Sequence, residues 1–198
     1  MEKIWGQVEE FRAKYESTRD GHLPVDVFSL VEIDLRLNII PFPGLTERFK
    51  VWAALRADFS GIYVDQETHY DLEAGEEWKL KRLRFSLAHE LGHFVLHRKL
   101  PQEKHFAGLT EFANWTRSYE GKRDRIEREA DEFAGRLLVP LDRLTQYYDD
   151  FMSSEFAASM HLTLKARELF AEHVANKFGV NRQVIEIRLD REGLWPAN

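Results

Sequence analysis

The clearest chemistry in this chain lies in five consecutive residues, His89-Glu90-Leu91-Gly92-His93, an HExxH sequence. On an α-helix four residues advance about 400° and about 6 Å, so both imidazoles project from one face, one turn apart. Placed this way, they can bind one Zn²⁺ at about 2.0–2.1 Å. Glu90 sits beside them, where its carboxylate can take a proton from a water activated by the metal. A catalytic zinc takes three protein ligands and keeps a further position for water. His97 continues the spacing of four, but it lies about 12 Å along the axis from His89, too far for one ion to bridge both. It is read as a histidine that hydrogen-bonds near its helix end, helped by the dipole. The chain has no cysteine, which excludes thiolate ligands, a disulfide framework and a Cys nucleophile. It also lacks the HExxHxxGxxH extension, and with it an all-histidine site.

A carboxylate ligand must therefore come from elsewhere. The best source is IEREADEFAGRLLVP, residues 126–140. Glu127 and Asp131 are four apart and share a helix face. Glu127 could bind the metal, and Asp131 could accept the N–H of a ligand histidine and fix its tautomer. The plain alternative is a solvated acidic face, and HExxH is what tips the balance. Glu129 points about 200° away from Glu127 around the helix and is expected in solvent.

These residues need elements to position them. Leu80, Leu83, Leu87, Leu91 and Phe94 recur at three and four, which predicts a helix from Trp78 to His97 with the histidines opposite the leucines. A second helix is expected from Lys122 to Leu138, ended by Pro140, with Ile126, Ala130, Phe133, Ala134, Leu137 and Leu138 buried. Toward the N-terminus, Ile4, Val8, Phe11 and Tyr15 predict a helix over 2–16. Pro24 and Asp26 open another, with Val27, Phe28, Val31 and Leu35 inward. NIIPFPGL, broken by Pro41, Pro43 and Gly44, reads as a short strand and a turn. VWAALRA and GIYVD read as a hairpin around Asp58-Phe59-Ser60, with a weak further strand at Thr68–Tyr70. Residues 98–121 are irregular, and 155–198 hold two or three short helices. The expected architecture is α+β: a small antiparallel sheet beside metal-binding helices in residues 1–150, then a helical segment in 151–198.

Composition fits a folded, globular chain. Of 198 residues 43% are hydrophobic and 13% aromatic, which argues against disorder. The net charge of -6 gives no global attraction to nucleic acid or anionic lipid. No apolar run approaches the ~20 residues of a membrane span, and the N-terminus lacks a signal-peptide core, so a cytoplasmic protein is expected. In the last segment, ELFAEHVANKFGVNRQVIEIRLDREGLW has the cadence of a helix-turn-helix about Gly179. That raises a second function, a DNA- or partner-binding regulator with a structural or latent metal site. Residues 161–198 carry six Lys or Arg and five Asp or Glu, a thin electrostatic footprint for DNA.

Three stretches then stand out in order: PVDVFSLVEIDLRLNIIPF, RLRFSLAHELGHFVLH and IEREADEFAGRLLVP, within residues 24–140. Together they resemble the ImmA/IrrE family of metallopeptidases, and FGVNRQVIEIRL resembles the tail of many members. The resemblance implies a zincin-like fold and peptide-bond hydrolysis by a water activated by zinc. It implies His89, His93 and Glu127 as ligands and Glu90 as base. Asp131 stands where the family often has Asn or Asp, and Arg84-Phe85-Ser86 match the usual lead-in. It also implies a regulatory role, often cleavage of a helix-turn-helix repressor whose gene lies nearby. Tyr63, His105, Tyr119, Tyr147 and Tyr148 have the chemistry to stabilise an oxyanion, and the sequence does not choose among them. The substrate is expected along a sheet edge, with VWAALRA as the candidate.

Overall fold

A computed structural model describes residues 2–19, 21–56, 58–70, 77–98, 123–154 and 164–195. The HExxH helix is α6, Glu77–Gly92, which continues as a π-helical turn over His93–His97. Leu83, Leu87 and Leu91 on its inner face are fully buried, whereas Leu80 at its start is half-buried. Against it packs α7, Arg123–Leu138, whose Ala130, Phe133, Ala134, Leu137 and Leu138 are all at 0% exposure, as the periodicity predicts, whereas Ile126, also expected inside, is half-buried in the first turn. The two helices approach closely at Gly92. A Cβ there would lie 2.9 Å from the Ala130 Cα and 3.0 Å from its carbonyl oxygen, well inside van der Waals contact.

The N-terminal helices cover this pair. In α1, Glu2–Lys14, Ile4, Val8 and Phe11 are buried, with Phe11 edge-on to Phe133 of α7 at 5.4 Å. Tyr15 falls just past the helix end and packs on Phe11, ahead of the single turn α2, Glu16–Arg19. The Asp26 side chain accepts from the Ser29 N–H and starts α3, Val27–Ser29, which passes into a π-helical turn, Leu30–Asp34. Val27, Leu30 and Val31 are fully buried.

The sheet has three strands, β1 (Asn38–Phe42), β2 (Ala53–Leu55) and β3 (Gly61–Asp65), in the order β1-β3-β2. The hairpin forms as expected: β2 and β3 are antiparallel, and the Asp58 carboxylate caps the turn by accepting from the Ser60 N–H and hydroxyl. The sheet is nevertheless mixed rather than wholly antiparallel, because β1 pairs parallel to β3. After β1, Gly44 at φ +65° turns the chain into α4, Leu45–Phe49, and β2 then runs back antiparallel before β3 joins β1. Pro41 is tolerated because β1 is an edge strand. No strand forms at Thr68–Tyr70. The Asp65 carboxylate accepts from the Thr68 N–H and hydroxyl instead, which starts α5, Gln66–Tyr70.

Pro140 ends α7 and immediately opens α8, Leu141–Met152, a helix the sequence reading did not assign. Beyond it lie α9 (Leu164–Phe178) and α10 (Arg182–Glu192), joined by a tight turn at Gly179. Buried Arg84 of α6 donates to the carbonyls of Gly179 and Val25 at 3.1 and 2.6 Å. A buried ionic network joins α1, α7 and α10. Glu132 accepts from Trp5 and Arg136, and is paired with Arg191; Glu192 accepts from Arg136 and Arg188. The expected irregular segment 98–121 lies, apart from Arg98, outside the described residues.

The crossing at Gly92 yields a direct test. Gly92→Ala gains helix propensity of about 1 kcal/mol but forces a methyl group into the Ala130 backbone, an overpacking cost of about 1–3 kcal/mol. Urea unfolding should show a lower midpoint than wild type. An unchanged or raised midpoint would show that α6 and α7 separate without cost.

Candidate metal centre

The crossing of α6 and α7 brings His89, His93 and Glu127 together. One ligand atom from each lies within 4.8 Å of the others. His89 Nε2 is 3.0 Å from His93 Nε2 and 3.2 Å from a Glu127 carboxylate oxygen, and His93 Nε2 is 3.8 Å from the other oxygen. Electron pairs this crowded need a cation or a shared proton among them. Two imidazoles and one carboxylate, on two rigid helices, fit a zinc-type ion that takes nitrogen and oxygen ligands and leaves a position open. Among the described residues this is the one group of three or more such side chains that could hold a metal.

The surroundings set the protonation pattern. Burial disfavours the His89 imidazolium, but hydrogen bonds to Asp131 and Glu127 overcome it and push its pKa up to about 10. His93 goes the other way, down to about 3, through burial and the neighbouring His89 charge. The pair therefore favours a single positive charge, on His89, with His93 neutral. Glu90 is pushed up to about 7, chiefly by burial, against the attraction of His89 and a hydrogen bond from the Leu55 N–H. That N–H, on edge strand β2, reaches Glu90 Oε2 at 2.8 Å.

Each residue expected at the site can now be placed. Asp131 Oδ1 is 2.8 Å from His89 Nδ1, the ring nitrogen facing away from Glu127. His97 stays outside the triangle, as the axial rise requires, and instead meets His93 Nδ1 through its own Nδ1 at 3.0 Å. Glu129 is also outside the triangle, but it is not solvated. Its side chain is 23% exposed against 36% for Glu127, and it accepts from His97 Nε2 at 3.1 Å and Arg125 Nε at 2.8 Å. The expectation failed because it counted the faces of α7 alone, whereas the π-helical turn after α6 carries His97 over to Glu129. Among the oxyanion candidates, Tyr147 packs on Phe178 and Tyr148 on Phe170 and Trp195, in the C-terminal aromatic cluster. Tyr63 lies on β3 beneath the Arg56 guanidinium, and His105 and Tyr119 lie outside the described residues. The sequence reading missed the Leu55 N–H, because a backbone donor leaves no residue-type signal. It also left Arg84 without a role, although an arginine inside a leucine stripe is itself a signal.

The Asp131 contact can be read by NMR. In protein stripped of metal with a chelator, His89 should titrate near pH 10. Asp131→Asn removes the charge facing Nδ1 and should lower that pKa by about one to three pH units, seen in imidazole ¹⁵N shifts. An unchanged titration would mean that Asp131 does not govern His89.

The IrrE N-terminal-like domain of Peptidase M78 matches residues 63–190. No curated protein matches the chain. None of the described helices is long and apolar enough to cross a membrane. The matched region runs from β3 into α10 and takes in both site helices, the α6–α7 crossing and the turn at Gly179. With well over half of its length matched by that domain, the chain belongs to the ImmA/IrrE-type (Peptidase M78) metallopeptidases.

Proposed function

We propose that this protein is a cytoplasmic, zinc-dependent endopeptidase in which His89, His93 and Glu127 hold the metal and Glu90 is the general base. The observation that carries the reading is the triangle of ligand atoms within 4.8 Å, with the Glu90 carboxylate on the same helix beside it. Bound there, the ion would supply Lewis acidity that makes a water acidic and polarises a carbonyl. Asp131 accepts Nδ1–H of His89 and so leaves the Nε2 lone pair for the ion. Glu90 takes the proton of the attacking water and delivers it to the leaving amine. A carboxyl raised to about 7 suits a group that must accept and release a proton near neutrality. The Leu55 N–H holds Oε2 and leaves Oε1 for the water.

The substrate is read as an extended peptide added along β2. That strand lies at the sheet edge and directs the Leu55 N–H away from β3, toward Glu90. The family resemblance supports a helix-turn-helix repressor as the protein cleaved. Residues 151–198 are read as a helical segment that packs on the peptidase part at 1–150 rather than one that binds DNA. On α10 the cations are held in ion pairs: Arg182 with Glu186, and Arg188 with Glu192. Arg167 of α9 likewise pairs with Asp190.

The test is incubation of the purified protein and zinc with the repressor encoded by the neighbouring gene, read by mass spectrometry. Wild type should produce defined fragments. Glu90→Gln should keep stoichiometric zinc yet cleave about 10²–10⁴-fold more slowly. Near-normal cleavage by Glu90→Gln would remove Glu90 as base, and intact repressor under every condition would remove this substrate.

A further inference from the structure

We propose that His97 is a positioning residue for His93, backed by Glu129 and Arg125, and that this relay holds His93 in the tautomer that can bind a metal. The proposal rests on the reading of His93 as a ligand. The two site histidines differ in how they are supported. His89 meets a carboxylate directly, with Asp131 Oδ1 at 2.8 Å from Nδ1. Among the described residues, His93 meets no carboxylate through Nδ1. It meets the Nδ1 of His97 at 3.0 Å, and His97 Nε2 in turn meets Glu129 Oε2 at 3.1 Å. Arg125 Nε donates to the other Glu129 oxygen at 2.8 Å.

The chemistry of these partners fixes the direction of every hydrogen bond. Glu129 sits between the Arg125 guanidinium, 2.8 Å from Oε1, and His97 Nε2, 3.1 Å from Oε2, and a carboxylate paired with a guanidinium can only accept. His97 Nε2 must then carry the hydrogen. In the neutral ring that leaves His97 Nδ1 bare, and a bare nitrogen 3.0 Å from His93 Nδ1 accepts from it. His93 therefore carries its hydrogen on Nδ1, and the Nε2 lone pair points at His89 and Glu127. The π-helical turn contains both residues, His93 at its start and His97 at its end. The His97 side chain is only 10% exposed, so water does not readily replace it.

Zinc affinity tests the relay, by competition with a chromophoric chelator. Wild type is measured first, and failure to bind zinc would overturn the reading of the site itself. Given binding, His97→Ala should weaken zinc about 10–100-fold. His97→Asn places an amide oxygen near the lost Nδ1 acceptor and should recover most of that loss, which a merely structural contact would not require. Glu129→Ala should weaken zinc about three- to tenfold with His97 present and have no further effect in His97→Ala, because it acts through that ring. The proposal is overturned if His97→Ala binds zinc within about threefold of wild type. It is equally overturned if Glu129→Ala costs the same in both backgrounds. Should His97→Ala not fold, Glu129→Ala and His97→Asn carry the test: unchanged zinc affinity in the first overturns the relay, and so does a full loss in the second.

Discussion

The site depends on one steric constraint, the close passage of α6 over α7 at Gly92. Because no side chain intervenes there, the backbone of Ala130 comes within contact distance, and residues on the two helices face each other at short range. Glu127 and Asp131 flank Ala130 on α7, just as His89 and His93 flank Gly92 on α6. The triangle of ligand atoms is thus a consequence of where two helices touch. Leu83, Leu87 and Leu91 on one helix and Phe133, Ala134 and Leu137 on the other hold that contact from the buried side.

Outside the crossing, two polar devices fix the helices in the fold. Arg84 reaches from α6 to the Gly179 turn, where a Cβ would lie 3.0 Å from its Nε. Glycine is needed there twice over, for that approach and for φ +62°. The network of Glu132, Arg136, Arg188 and Glu192 ties α7 to α10, and Trp5 of α1 lies 3.9 Å from the Arg136 guanidinium. Breaking a buried network of this kind costs about 3–5 kcal/mol per missing partner, because the charges left behind stay out of water. The face of α7 that carries Glu132 and Arg136 is therefore pinned, and the face that carries Glu127 and Asp131 is pinned with it.

Much of this was legible in the residues. Helical spacing placed His89 and His93 on one face, put Glu127 and Asp131 on another, and named the buried stripe of α7 from Ala130 onward, missing only at Ile126, which is half-buried. The Asp58 turn gave the hairpin. What the sequence could not give were contacts set by tertiary approach. Glu129 looked solvated on its own helix and is held by a histidine from another. The parallel pairing of β1 depends on how α4 and β2 return the chain, which no local pattern encodes. Helix α8 is masked in the sequence although Leu141, Leu144, Tyr148 and Phe151 carry a helical period, because Pro140 reads as a helix stop and serves instead as the N-cap of the next helix. At Thr68, Asp65 turned a weak strand signal into a helix start.

The central claim is that α6 and α7 together build one metal centre, with Glu127 supplying the ligand that HExxH lacks. It is tested most directly by calorimetric titration of zinc into chelator-stripped wild type and Glu127→Ala. The account predicts one zinc per wild-type chain, and a loss in Glu127→Ala larger than the roughly 10–100-fold typical of an outer partner. Equal affinity in the two proteins would contradict it.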